Sequence, residues 1–239
     1  MSDILKKFLK YKGFIIFAAV TVALCMCINY ICTWERQTKF EYGFISGINK
    51  NLSKENGAEI LRECKCFPVL RQGESTCFFD DGYGEGRSFG GNRHHEGIDI
   101  MPSEDKAGKF KVRSVCDGVV EKMGWLRLGG YRVGIRSRHG NYYYYAHLDS
   151  YRKGLKCNDT VKAGEIIGYM GNTGYGDEGT RGKFKVHLHF GVYVRDKAGE
   201  KSINPYYLLK KLESRSLWKG KQIWKYSFGE KYWSLMVRQ

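Results

Sequence analysis

Four histidines and one aspartate fall into three short motifs: His95-Glu96-Gly97-Ile98-Asp99, Tyr145-Ala146-His147-Leu148 and His187-Leu188-His189-Phe190. The chain has six histidines in all, so this pattern takes up most of them. Two histidines and one carboxylate make the ligand set of a catalytic zinc, which keeps a fourth position open for water. Two further imidazoles are what such a centre needs for proton transfer and charge stabilisation.

Those side chains need elements that aim them together. Asp99 lies four residues after His95, and His189 lies two after His187. Both separations are even, so along a strand each pair would point to one face. Val186, Leu188, Phe190, Val192 and Val194 alternate with His187, His189, Gly191 and Tyr193, which is strand periodicity. His94 competes with His95 as first ligand, but four residues after it stands Ile98, which cannot bind metal.

From residue 111 to 194 short apolar runs alternate with glycine turns, and residues 131–136, 142–146, 165–170 and 186–194 are strand candidates. The tyrosine run 142–145 places alternate rings on the two faces of one strand. Residues 80–92 are glycine-rich and read as a loop beside the first motif. Short helices are expected near 58–64 and 205–213. The predicted class is all-β and mainly antiparallel, with an N-terminal transmembrane helix.

The three motifs, in this order, resemble the M23 (LytM or lysostaphin-type) family of zinc metallopeptidases. Connecting text is similar too: Cys116-Asp117-Gly118-Val119-Val120, Val161-Lys162-Ala163-Gly164-Glu165-Ile166-Ile167-Gly168, the turn Gly171-Asn172-Thr173-Gly174, and Asn204-Pro205. The resemblance runs over residues 67–212. It implies one zinc per chain held by His95, Asp99 and His189, with His147 and His187 as the catalytic pair. It implies hydrolysis of peptide bonds in bacterial peptidoglycan stems or cross-bridges. Which of His147 and His187 is the general base stays open. The rival reading is a catalytically inactive relative that serves as a scaffold or regulator and binds cell wall or other wall proteins. Such relatives lose metal or catalytic positions, and all five are present.

One departure concerns substrate. The stretch 175–185, between the Gly-Asn-Thr-Gly turn and the strand carrying His187, is longer than the family's usual loop, and Val186 stands where proline is common. It contains Gly176, Gly179 and Gly182 and mixed charge, and it is expected to select substrate without holding metal.

The remaining sequence bounds the setting. Residues 1–12 carry Lys6, Lys7, Lys10 and Lys12, and residues 13–33 follow without charge. That pattern predicts a cytoplasmic basic tail and a single transmembrane anchor, with the zinc domain outside the cytoplasm. A cleaved signal peptide is the alternative, but no A-x-A site follows. Residues 34–66 read as a stalk, 67–212 as the peptidase domain and 213–239 as a basic, aromatic tail. The net charge of +15 suits anionic wall polymers or phospholipid. Nucleic acid is not an expected partner, since no nucleic-acid fold motif occurs. Five of the eight cysteines (Cys64, Cys66, Cys77, Cys116 and Cys157) lie beyond residue 33, an odd number that points to packing or one disulfide.

Overall fold

The computed structural model describes residues 12, 16–32, 52–70, 76–88, 91–196 and 199–218. Three helices occur among them: α1 (16–32), α2 (Lys54–Glu63) and α3 (Tyr206–Trp218). The early strands are β1 (Cys77–Phe78), β2 (Gly86–Arg87), β3 (Arg93–His94), β4 (Ile98–Pro102) and β5 (Lys111–Arg113). The long central strands are β6 (Gly118–Leu126), β7 (Gly130–Ser137) and β8 (Tyr142–Tyr151). After them come β9 (Thr160–Val161), β10 (Ile166–Met170), β11 (Leu188–Asp196) and β12 (Gly199–Ile203).

Ten strands form one antiparallel sheet with the path β1-β4-β11-β8-β7-β6-β9. Strand β10 joins β5 to β8, and β12 extends β11. Its register decides where chemistry sits. His189 faces Asp99 on one side and Ala146 on the other, and Phe190 faces Ile98 and Tyr145. Ile98, Ile100, Tyr143, Tyr145, Leu188, Phe190 and Val192 are therefore buried on the core face. Asp99, His189, Ala146 and Tyr144 line the other face, where a groove of about 910 Å³ opens. A slip of one residue would exchange the two sets.

The expectation of an all-β class is corrected: the fold is mixed α/β. Ser53 caps α2 by accepting from the amide of Asn56 at 3.1 Å. Ile60 and Leu61 of α2 enter the core, as do Leu208, Leu209 and Leu212 of α3. Asn204 Oδ1 accepts from the amide of Tyr206 at 2.9 Å and starts α3. The end of α2 is fastened to the sheet through the carboxylate of Glu63. It accepts from Asn141 Nδ2 at 2.8 Å and from the hydroxyl of Tyr143 at 2.5 Å, and His139 Nδ1 lies 2.8 Å away. Both helices thus bury apolar faces that short stretches of sequence had marked only as helical.

The membrane expectation is also corrected. No helix among the described residues is long and apolar enough to cross a membrane. The single-pass anchor, its orientation and the extracytoplasmic placement are accordingly not supported. Residues 13–15 and 33 of that stretch, the tail 1–11 and the segment 219–239 lie outside the described residues, as do residues 34–51.

Cys64, Cys77 and Cys116 are buried, and no disulfide joins the described cysteines. Burial pushes the Cys116 thiol far up, so it packs as a small apolar group.

Candidate metal centre and its groove

Asp99 is the second residue of β4, between buried Ile98 and Ile100. Strand pairing sets it beside His189 on β11, and His189 Nδ1 lies 3.0 Å from Asp99 Oδ1. His95 arrives by a different route. It precedes β4 rather than lying on it, and the chain turns at Glu96-Gly97. Its Nε2 still comes within 3.0 Å of Asp99 Oδ1 and 2.9 Å of His189 Nδ1. The predicted grouping is met, but a turn supplies it instead of strand parity. His94 stands apart, with Nδ1 3.1 Å from the carbonyl of Gly84.

The turn needs glycine at position 97. A Cβ there would lie 2.6 Å from the Phe190 carbonyl oxygen and 2.8 Å from His189 Nε2. The close approach of the two chains is what brings His95 to the strand pair.

The donor set fits zinc. Zinc–ligand bonds of about 2.0–2.1 Å in a tetrahedron put neighbouring ligand atoms roughly 3.3 Å apart, close to the spacing observed. His95 Nδ1 lies 2.8 Å from the Gly82 carbonyl, which can only accept. That contact fixes the proton on Nδ1 and leaves the Nε2 lone pair aimed at the other two donors. Burial works against the Asp99 carboxylate. The close His189 and His95 imidazoles, and the positive charge that His189 and His187 can carry, outweigh it and hold the group far below the usual carboxylate range. Burial also pushes His189 down. His95, Asp99 and His189 are the cluster of metal-capable donors among the described residues.

Arg87 was not marked by the sequence. The region read as a glycine-rich loop holds β2, which pairs with β3 just beyond it in a short hairpin that carries Arg87 to the site. Its Nη2 donates to Asp99 Oδ2 at 3.2 Å and sits 2.9 Å from His95 Nδ1, while Nη1 pairs with Glu85 at 3.1 Å. Arg87 therefore holds the outer carboxylate oxygen while the inner one faces the ligand cluster. No local spacing rule connects an arginine to a ligand twelve residues away.

His147 reaches the groove through a break in β8. By alternation it should follow Tyr143 and Tyr145 into the core. Its φ of 60° and the register shifts beside it on β7 and β10 change the phase of the strand. His147 is then turned toward His187, with ring centroids 4.7 Å apart, and Leu148 takes the core position. His147 Nδ1 donates to the Thr173 carbonyl at 2.8 Å. Burial, aided by the charges of His187 and His189, pushes His147 well below its ordinary value. It is neutral at neutral pH, with the Nε2 lone pair available. His187 is oriented likewise, Nδ1 lying 2.8 Å from the Lys185 carbonyl. Its Nε2 is 3.8 Å from Asp99 Oδ1.

The stretch 175–185 supplies an aromatic wall. The Phe184 ring lies 4.6 Å from His147 and 5.0 Å from His187, and Tyr175 packs on Phe184 at 4.8 Å. The stretch is tied down at two points. Trp125 Nε1 donates to the Gly176 carbonyl at 3.2 Å, and Arg181 pairs with Asp149 at 2.5 Å.

Comparison with known proteins agrees with this geometry. Residues 93–205 match the sequence profile of peptidase family M23. The chain is 46% identical over 124 residues to an L-Ala–D-Glu endopeptidase of Bacillus subtilis, covering 52% of this chain and 37% of that one. It is 35% identical over 103 residues to the glycyl-glycine endopeptidase ALE-1 of Staphylococcus capitis, covering 42% and 24%. The crystal structure of a candidate glycyl-glycine endopeptidase, lytM, from Ruminococcus gnavus superposes with a TM-score of 0.62 at 44% identity, covering 68% of this chain and 65% of that one. The chain thus spans less than two thirds of the length of these relatives.

Proposed function

We propose that this chain, whose residues 93–205 match the family M23 profile, is a member of that peptidase family and a zinc-dependent endopeptidase cutting peptide bonds in bacterial peptidoglycan stems or cross-bridges. The observation that carries the reading is the convergence of three donor atoms at 2.9–3.0 Å beneath two oriented imidazoles in an open groove. The peptidase unit proposed is residues 67–212.

His95, Asp99 and His189 would hold the metal. When bound, zinc supplies Lewis acidity toward water and the scissile carbonyl. His147 and His187 each present an Nε2 lone pair over the ligand cluster, each held in that tautomer by a backbone carbonyl. The pair takes a proton from the attacking water and returns one to the leaving amine. Phe184 and Tyr175 close one side of the rings against water. An inactive scaffold role would be signalled by loss of one of these five residues, and none is lost. Mass spectrometry of products from chemically defined peptidoglycan tests the reading. A cut peptide with a new amine and a new carboxylate supports it, and intact peptide opposes it.

The two curated relatives act on different bonds by their names, so the bond cut here is set by groove residues outside the shared motifs. The stretch 175–185 places Tyr175 and Phe184 in that groove and contributes no donor to the metal cluster. Shortening residues 176–183 is expected to leave zinc content intact and to change relative rates across a panel of stem and cross-bridge peptides. Equal relative rates for both proteins would mark the stretch as a surface insertion.

A further inference from the structure

The groove has a feature that the metal chemistry does not use. On its floor, His189 lies beside Ala146 of β8, and β7 follows with Arg132 on the same face as Gly134, which faces Tyr144. Arg132 is thus two strands from the metal ligand. At about 4.8 Å per strand this is roughly 10 Å, the length of about three residues of extended peptide. The Tyr144 ring lies between them, 5.9 Å from His189, and the charge of Arg132 is felt at the Tyr142 and Tyr144 hydroxyls.

Arg132 Nη1 is shut off from solvent and has no hydrogen-bond partner. The two carboxylates on this side, Glu121 and Glu200, are both engaged by Arg136. Lys122 opposes Gly134 from β6 and is exposed at the same end of the groove. An unpaired guanidinium donor kept from water is costly. Arg132 itself lines the groove, and a carboxylate there, whose two oxygens match the planar fork, is the best complement to its guanidinium. Relatives named for an L-Ala–D-Glu bond and for a glycyl-glycine bond differ in this respect, since only the first bond carries a free carboxyl beside it.

We propose that Arg132, with Lys122 beside it, is a subsite for a free carboxylate of the bound peptide, within about three residues of the scissile bond. The subsite makes the protein select acidic stem peptides over amidated or all-glycine ones. Selection among cleaved peptides rests on the endopeptidase reading; the binding preference does not.

Two synthetic peptides test it. Both contain an L-Ala–D-Glu bond and differ only in whether the free D-Glu carboxyl is an acid or an amide. For each, kcat/KM and the equilibrium Kd are measured on the zinc-loaded full chain. Charge-assisted hydrogen bonding predicts a preference for the acid of about tenfold or more. Arg132→Gln is expected to bring the ratio close to one, and Arg132→Lys to keep part of it, since charge stays but the fork is lost. Zinc content and thermal midpoint check that both variants fold. A wild-type ratio near one, an unchanged ratio in Arg132→Gln, or no binding of either peptide overturns the subsite. Binding that prefers the acid, lost in Arg132→Gln, without any cleavage would retain the subsite and remove the endopeptidase reading. Equal cleavage of both peptides would do the reverse.

Discussion

Replacing His187 with alanine should lower kcat on wall peptide by about 100- to 10,000-fold while zinc remains bound, and His147→Ala should do the same. Neither residue belongs to the cluster of His95, Asp99 and His189, so the metal has no reason to leave. Both rings present Nε2 into the space above that cluster, and each is locked by a single backbone carbonyl. Because the two act on one proton path, the double variant should lose little more than either single one. His147 is buried and sits in a strained backbone position, so its variant also needs a folding check. His187 is more exposed and gives the cleaner result. Near-normal turnover in either folded variant would remove that residue from the mechanism.

The second large effect is on the metal itself. His189→Ala removes one of three protein donors. The remaining pair, His95 Nε2 and Asp99 Oδ1, is a poor zinc site alone. The loss of affinity should exceed the roughly 10- to 100-fold typical of changes in outer-shell partners. Elemental analysis after dialysis against a weak chelator measures it. Wild type should keep one zinc per chain and the variant close to none. Full zinc in His189→Ala would refute the ligand assignment.

The sequence made the candidate metal-binding and acid–base residues visible because their types are rare and their order is specific. It did not make visible how they meet. Strand parity explains His189 opposite Asp99, since both lie on paired strands. It does not explain His95, which a turn through Gly97 delivers from outside the strand. It would have sent His147 into the core, and only the αL backbone at that residue brings it out. Arg87 and Arg132 carried no local signal, because their partners are distant in sequence and their placement depends on hairpin and sheet register.

The corrections have a common origin. Local hydropathy marked residues 13–33 as a membrane span, but among the described residues no helix is long and apolar enough to cross. Local pattern also undervalued α2 and α3, whose apolar faces gain meaning only against the sheet. The carboxylate of Glu63 reaches Asn141 and Tyr143 across about eighty positions, a contact no window of sequence contains.

The most direct measurement couples metal to chemistry. Purified chain is stripped of zinc, divided, and one half is restored with one equivalent of zinc. Both halves are incubated with chemically defined peptidoglycan, and the products are identified by mass spectrometry. A zinc endopeptidase using this site should yield new peptide ends only in the restored half, and the same treatment of His187→Ala should yield almost none. Equal products from both halves, or none from the restored one, would contradict the account.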